Sequence, residues 1–118
     1  MIEKIILDFL NESLEVPVLM EKTEEQIEEY VLIEKTGSSE DNFISSATIA
    51  IQSYSSTLYK AAVLNKKVKI AMRELVSIPK ISKVKLNTDY NFTDTTKKQY
   101  RYQAVYDITY QEGDGYGK

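Results

Sequence analysis

Two adjoining stretches decide the fold: residues 43–54, F-I-S-S-A-T-I-A-I-Q-S-Y, and residues 57–76, T-L-Y-K-A-A-V-L-N-K-K-V-K-I-A-M-R-E-L-V. The first stretch alternates, and its apolar face of Phe43, Ala47, Ile49 and Ile51 predicts a half-buried strand. The second repeats apolar residues every three to four positions, which predicts an amphipathic helix. One long strand therefore leads directly into one long helix. Three serines at the junction are candidate N-caps of the helix: Ser53, Ser55 and Ser56.

The long helix carries two apolar faces on a helical wheel. The broader face is expected to pack on the sheet and consists of Leu58, Ala61, Ala62, Leu64, Val68, Ala71, Met72 and Leu75, with Asn65 and Lys69 as polar exceptions. The narrower face, here called the second stripe, consists of Tyr59, Val63 and Ile70. A helix that lies on a sheet needs only one apolar face. The second stripe therefore either packs under a loop or against the first helix, or contacts a neighbouring subunit.

The other elements follow from the same periodicities. Apolar residues at helical spacing from Ile2 to Leu10 predict a helix that ends by about Ser13. Runs that suit a pleated surface predict strands at residues 18–20, 30–35, 81–92 and 99–111. Alternation in the third of these runs places five side chains on its core face: Val84, Leu86, Thr88, Tyr90 and Phe92. The core face expected for the last strand is Tyr100, Tyr102, Ala104, Tyr106, Ile108 and Tyr110.

Three polar segments are expected to be loops. Residues 22–29, K-T-E-E-Q-I-E-E, have almost nothing to bury and predict an exposed acidic loop, although Thr23 and Gln26 are spaced as a capping box of a short helix. Residues 36–42, T-G-S-S-E-D-N, predict a projecting, mobile loop that is too long for a tight hairpin turn. Residues 91–98, N-F-T-D-T-T-K-K, predict the polar link of an antiparallel hairpin.

The simplest way to bury these faces is an α+β fold in the order α-β-β-β-α-β-β. It has a mostly antiparallel sheet of about five strands, with two helices packed on one face. The 118 residues suit a single domain spanning residues 1–118. Residues 112–118 hold three of the four glycines and are expected to form a flexible tail.

Composition excludes several classes of function. The chain has no Cys and no His, so it has no disulfide, no Cys/His zinc site and no His-based acid–base catalyst. The carboxylates cluster in one exposed stretch without the pattern of a calcium loop, and no glycine-rich phosphate loop is present. We expect no catalytic, metal-binding or cofactor-binding residues, and a chain that is not an enzyme. Without a signal peptide or a long apolar run, the chain is expected to be cytosolic when made.

Charge divides the chain into two unlike halves. Residues 1–41 hold twelve acids and three bases, a net charge of −9, whereas residues 42–118 hold six acids and twelve bases, a net charge of +6. Such asymmetry favours electrostatic pairing. The halves either neutralise each other within one fold or bring an acidic surface against a basic surface of a neighbouring copy.

Two features could be read as a nucleic-acid site. Lys66, Lys67, Lys69 and Arg73 form a basic cluster on the long helix, and the tyrosines of the last strand could stack on bases. A pI near 5.0 and the lack of a reading motif argue against this interpretation. Because the tyrosines alternate with polar residues, we expect them to face the core and not a nucleic acid.

Several segments, in this order, resemble one known family. After the N-terminal helix come V-P-V at 16–18, E-E-Y-V-L-I-E-K-T-G at 28–37, Asn42, A-T-I-A-I-Q-S-Y at 47–54, a helix start with serine and alanine, N-F-T-D-T-T at 91–96 and Y-R-Y-Q-A-V-Y at 100–106. Together they resemble the small tail-terminator, or tail-completion, proteins of tailed bacteriophages and prophages. The resemblance spans about residues 1–110, and it rests on the ordered set because no single segment is diagnostic.

The resemblance implies a structural protein. In that family, copies form a ring, usually a hexamer, on the head-proximal end of the tail tube, where the ring stops polymerisation and presents the head-joining surface. The implied partners are other copies, the tail-tube protein and the head–tail connector, with no cofactor and no membrane. The implied location is the bacterial cytoplasm during assembly and then the virion tail. A head-completion or connector protein is the neighbouring alternative, and a small nucleic-acid-binding regulator is an alternative from another class.

Two sets of residues are candidates for these contacts. The candidate subunit interface is Tyr59, Val63, Lys66, Lys67, Ile70 and Arg73 of the long helix together with Glu24, Glu25, Glu28 and Glu29. The candidate docking loops for the tube or connector contain Gly37, Ser38, Ser39, Glu40 and Asp41, and Asn91, Thr93, Asp94, Thr95, Thr96, Lys97 and Lys98. The sequence leaves open whether the tail is contractile or flexible, and whether its source is a phage, a prophage or a tail-like bacteriocin.

Overall fold

The expected α+β fold and its element order are confirmed by the computed structural model, which describes residues 1–111. The elements are α1 (Ile2–Ser13), β1 (Val18–Leu19), β2 (Tyr30–Asp41), β3 (Ile44–Ser55), α2 (Leu58–Arg73), β4 (Ile81–Asn91) and β5 (Tyr100–Gln111). A 3₁₀ turn, Glu74–Ser77, follows α2. The tail expected at residues 112–118 lies outside the described residues.

The five strands form one sheet in the order β1-β2-β3-β5-β4. The short edge strand β1 pairs with β2 in parallel, and every other pairing is antiparallel. At the centre, β3 and β5 pair along their whole lengths, from Ile44 opposite Gln111 to Ser55 opposite Tyr100. The alternating stretch of residues 43–54 therefore supplies the middle strand of the sheet.

Both helices bury their apolar stripes on the same face of this sheet. Ile2, Ile6 and Leu10 of α1 join one core cluster with residues of α2, β2, β3 and β5. The sheet side of this core contains Ile49, Ile51, Ala104, Tyr106 and Ile108. A salt bridge of 3.6 Å between the Nζ of Lys35 and Oε2 of Glu3 ties β2 to α1 on this side of the sheet.

The helix α2 is buried as its broad face predicts, with two corrections at its start. Ala61, Leu64, Val68 and Met72 are buried, but Leu58 in the first turn is exposed. The N-cap is Thr57, whose hydroxyl accepts a hydrogen bond from the backbone N–H of Lys60, so the three serines proposed as caps are not used. The strand runs on to Ser55, which leaves only Ser56 and Thr57 to turn the chain into the helix.

The prediction of a mobile loop at residues 36–42 is wrong. The strand β2 continues to Asp41, which pairs with Ile44, so the whole connection between β2 and β3 is Asn42 and Phe43. Both residues have positive φ, 52° and 68°. A two-residue turn with positive φ at both positions follows the right-handed twist of the strands it joins, which is why so short a connection suffices. Phe43 is therefore a turn residue with 74% of its surface exposed, and its assignment to the core face is also wrong.

The side chains predicted for the core face of β4 are wrong beyond Leu86. The strand has two register shifts against β5, and the second lies between Leu86 and Thr88. Leu86 lies opposite Tyr106, whereas Thr88 lies opposite Val105, so Asn87 is an extra residue in β4. One extra residue reverses which face the following side chains occupy. Asp89 consequently lies on the helix side of the sheet, and the side chains expected on the core face there lie on the opposite side: Thr88, Tyr90 and Phe92.

Candidate interaction surfaces

Most of the second stripe of α2 is uncovered. Tyr59 has 78% of its surface exposed and Ile70 has 50%, while Val63 is partly buried. These side chains line one wall of a groove of about 920 Å³, whose other wall is the segment after α1, including Leu14 and Val16. Within the chain, only Val63 of this stripe has most of its side chain covered. Tyr59 and Ile70 remain available to another molecule.

The charges around this groove differ between its two walls. The wall formed by α2 carries Lys60 and Lys67, and α2 as a whole has five basic and no acidic side chains. The opposite wall carries Glu15 and Glu29. Glu29 is already engaged, because its Oε2 accepts a hydrogen bond of 2.9 Å from the hydroxyl of Ser55. The α2 wall is thus an apolar strip beside exposed cations, with the exposed carboxylate of Glu74 just after its C-terminal end.

Asp89 explains the two polar exceptions on the broad face of α2. Its Oδ2 lies 3.3 Å from the Nζ of Lys69, and its Oδ1 accepts a hydrogen bond of 3.4 Å from the side-chain amide of buried Asn65. Burial raises the pKa of the nearby Tyr106 to about 12, and the negative charge of Asp89 adds to this shift while Arg73 opposes it. Sequence reasoning missed this cluster because only the extra residue at Asn87 brings Asp89 to this face.

The acidic segment between β1 and β2 is an exposed irregular loop, as expected, and it has no helix. Glu24 and Glu25 line a hollow with Tyr30 and Gln99 at one end of the sheet. Glu28 is exposed, and Glu29 lines the α2 groove. Three salt bridges, Lys4–Asp8, Lys35–Glu3 and Lys69–Asp89, each join residues of one half of the chain, so none of these three joins the acidic half to the basic half.

The two segments named as docking loops lie at opposite ends of the sheet. The β2–β3 turn is level with the end of β5, where Ile44 pairs with Gln111. The connection between β4 and β5 is at the other end, where Asn91 pairs with Tyr102. The molecule is elongated, with principal extents of 46, 25 and 22 Å. The two segments therefore cannot contribute to one compact site, but they can contact two different partners.

The β4–β5 connection is an ordered turn. The backbones of Asp94 and Gln99 exchange two hydrogen bonds of 3.1 Å. The Oδ1 of Asp94 accepts hydrogen bonds from the backbone N–H groups of Thr96 and Lys97, and Oδ1 of Asn91 accepts one from the N–H of Thr93. Asparagine and aspartate stabilise turns in this way. Thr95, Lys97 and Lys98 are exposed on this fixed frame.

A chain of polar side chains, buried at Gln52, Tyr54 and Gln103, crosses the face of the sheet opposite the helices. The guanidinium of Arg101 donates to the hydroxyl of Tyr54 (2.7 Å), which donates to Oε1 of Gln52 (2.9 Å). The amide of Gln52 donates to Oε1 of Gln103 (2.7 Å), and the amide of Gln103 donates to the hydroxyl of Tyr90. Sequence reasoning missed this chain because alternation assigns Gln52, Arg101 and Gln103 to solvent, and because the extra residue at Asn87 moves Tyr90 to their side of the sheet.

Aromatic side chains extend this polar chain at the end of the sheet near the β4–β5 connection. Tyr30 stacks on Tyr54 with ring centroids 4.5 Å apart, and the guanidinium of Arg101 lies 4.4 Å from the centroid of Phe92. The Nζ of Lys22 lies 5.3 Å from the centroid of Tyr54. Burial and the nearby Tyr54 raise the pKa of Tyr30, while Arg101 lowers it. These contacts hold the acidic loop and the β4–β5 connection against the sheet.

Comparisons with family models and with curated sequences identified no protein similar to this chain. No model of a known protein family matches the chain, and no curated protein matches its sequence. Within residues 1–111, no group of three or more acidic side chains is arranged to bind a metal ion. Neither helix in that part of the chain combines the length and the hydrophobicity that crossing a bilayer requires.

Proposed function

We propose that this chain is a structural, non-enzymatic protein of a tailed phage or prophage, and that its copies form a ring that terminates the tail tube. In this role the ring stops tube polymerisation and presents the surface that joins the head connector. The partners are other copies of the chain, the tail-tube protein and the connector. The chain works in the bacterial cytoplasm during assembly and ends at the head-proximal end of the tail.

The observation that carries this proposal is the placement of the two docking segments. A terminator lies between a tube and a connector, so it needs two separate docking ends, and the β2–β3 hairpin and the β4–β5 connection lie at opposite ends of an elongated molecule. Loops on a rigid scaffold are suited to such contacts. The resemblance in the sequence supplies the identity of the two partners.

The sides of the molecule support assembly of copies into a ring. A ring of identical subunits uses heterologous contacts, in which one surface meets a different surface of the next copy. The exposed second stripe on α2 is one apolar surface that the chain does not cover, and the acidic loop is a separate, oppositely charged surface. The salt bridges Lys4–Asp8, Lys35–Glu3 and Lys69–Asp89 do not involve this loop, and its Glu24, Glu25 and Glu28 are exposed, so these carboxylates can pair with a basic surface of another copy.

Gel filtration with light scattering tests the proposal. The chain is measured alone and mixed with the tail-tube protein of the same particle, over a wide range of concentrations. A closed oligomer, or one that forms on the tube and stops its growth, is expected. A strict monomer that neither binds the tube nor limits its length refutes the proposal, and salt-dependent DNA binding by such a monomer would favour the regulator instead.

A further inference from the structure

The β2–β3 hairpin ends in an apolar tip that the chain's own core does not use. Phe43 has 74% of its surface exposed and Ile44 has 45%. Phe43 also has φ 68°, a left-handed conformation that bulky residues rarely adopt and that glycine adopts without cost. A turn of this kind normally has glycine at its second position. The phenyl group therefore adds to the cost of the turn without being buried, which points to a role outside this chain.

The tip takes no part in the α2 groove of its own chain. The residues that line this groove come from the end of α1 and the segment after it, from Glu29 and from α2 with Glu74, and none belongs to the hairpin. At the tip, Ile44 pairs with Gln111, whose backbone N–H donates to the carbonyl of Lys80. The tip is therefore level with the start of β4, at Ile81, and not with the groove.

Charge distinguishes the hairpin arm from α2. Residues 36–46 contain Glu40 and Asp41 and no basic residue. The helix α2 contains five bases and no acid, and of these only Lys69 is paired with Asp89 among the described residues. The groove is lined by Glu15, Glu29 and Glu74 as well as by Lys60 and Lys67. The acidic arm is therefore complementary to the face of α2 that carries Lys66 and Arg73 beside Ile70, and the apolar tip to the strip in the groove. Both surfaces belong to the same chain, but a single copy cannot bring them together.

We propose that the tip of the β2–β3 hairpin inserts Phe43 and Ile44 into the α2 groove of a second copy, against Tyr59 and Ile70. The acidic arm then lies along the basic face of that helix. This contact joins two unlike surfaces, so it propagates from copy to copy and can close a ring. The inference rests on the proposed function, because it assigns the contact that holds the ring together.

The first test compares two substitutions in the turn, Phe43→Gly and Asn42→Gly. Both place glycine at a positive φ, but only the first removes the apolar tip. Phe43→Gly is expected to weaken self-association by about 30-fold, or about 2 kcal/mol, the value of burying one large apolar side chain. In dilute solution, where wild type is monomeric, its melting temperature is expected to equal or exceed that of wild type. Asn42→Gly is expected to associate as wild type does.

The second test asks whether the two surfaces meet each other. Ile70→Lys removes the groove side of the contact and keeps the tip, whereas Phe43→Gly removes the tip and keeps the groove. At a concentration above the dissociation constant of wild type but below those of the variants, each variant alone is expected to be monomeric. An equimolar mixture is expected to form a dimer and nothing larger, because it retains one intact tip and one intact groove. Sedimentation velocity, run with and without the tail-tube protein, distinguishes these species.

The outcomes separate this inference from the function it rests on. Rings that form equally well with Phe43→Gly overturn the inference and leave the proposed function standing. A mixture of the two variants that stays monomeric also overturns the inference, since no tip then meets a groove. A wild-type chain that is monomeric both alone and with tail-tube protein overturns both. Loss of association in Asn42→Gly assigns the effect to the turn and overturns the role of the phenyl group.

Discussion

The cross-strand pair of glutamines on the helix-free face makes a quantitative prediction. Gln52 and Gln103 lie directly opposite each other in β3 and β5, both are buried, and the amide of Gln52 donates to Gln103 across 2.7 Å. Replacing Gln103 with leucine leaves that buried amide without its acceptor. Tyr90 also loses a hydrogen bond, but its hydroxyl belongs to a partly exposed side chain and can bond to water.

The size of the effect follows from which groups stay buried and unpaired. Leaving one buried polar group without a partner costs about 1–3 kcal/mol, whereas replacing both partners with apolar groups of similar shape is nearly neutral. We therefore expect Gln103→Leu and Gln52→Leu each to lower the free energy of unfolding by about 1–3 kcal/mol. The double substitution to leucine is expected to cost about as much as one single substitution, because the hydroxyl of buried Tyr54 still loses Gln52 as its acceptor. The coupling energy is then about 1–3 kcal/mol, in the range measured for residues in contact.

Urea denaturation of the four proteins measures this cycle, and thermal melts should shift by roughly 4 °C per kcal/mol for a domain of this size. The substitutions lie far from the α2 groove, so self-association should be unchanged and serves as a control for global folding. Single variants that cost less than about 0.5 kcal/mol, or a double variant that costs the sum of the two singles, would refute the reasoning.

Three further predictions concern the helix side of the molecule. Ile70→Ser should lower the free energy of unfolding by less than about 1 kcal/mol, because the side chain is half exposed. Leu64→Ala removes a buried side chain of the same helix and should cost about 2–5 kcal/mol in urea denaturation. Equal costs would mean that Ile70 belongs to the core. Tyr106 has a pKa of about 12 in the folded chain, above its ordinary value of 10.0. The unfolded chain therefore releases the phenol proton at a lower pH than the folded chain does. As pH rises between these two values, the free energy of unfolding should fall by up to roughly 2–3 kcal/mol. Denaturation at about pH 9 and pH 11.5 measures this loss, and Tyr106→Phe should remove that part of it; an unchanged slope in the variant contradicts the assignment. Ser53→Ala should be neutral or stabilising by up to about 1 kcal/mol, because the hydroxyl of Ser53 is buried without a hydrogen-bond partner among residues 1–111, and a clear loss in urea denaturation would reveal a partner.

The parts of the fold that sequence predicted well are those in which one period runs for many residues. The stripe from Ile2 to Leu10, the broad face of α2 from Ala61 to Met72 and the alternation from Ala104 to Tyr110 each place a buried side chain at regular intervals. In such segments many residues favour the same geometry, so one exception does not change the assignment. The fold class and the element order follow from these segments.

The hairpin was mispredicted because its signals are weak in the sequence. Residues 36–41 are polar and include Gly37, which is typical of loops. They form a strand because the backbone N–H and C=O groups that point toward β3 pair with it, while the outer edge and both faces remain in solvent. The turn itself contains asparagine followed by phenylalanine in place of the usual asparagine followed by glycine, so the strongest local signal of a two-residue turn is missing.

The candidate surfaces were predicted unevenly for a related reason. The second stripe could be found because residues on one helix have a fixed angular relation, whatever surrounds the helix. The Asp89 cluster and the polar chain through Gln52 and Gln103 depend on the register between strands that are distant in sequence. A single extra residue at Asn87 changes the face of every residue after it in β4. No periodicity within one segment reports such a shift.

The pairing of β3 with β5 has a mechanical consequence. The hairpin turn continues directly from β3, and the β4–β5 connection continues directly from β5 at the opposite end. A pull between these two ends acts along the strands, whereas the hydrogen bonds between antiparallel strands run across them. Twelve residue pairs from Ile44 to Ser55 then share the load at the same moment and cannot open one after another. If the two ends hold different partners, as proposed, the centre of this sheet is the element that keeps them joined under tension.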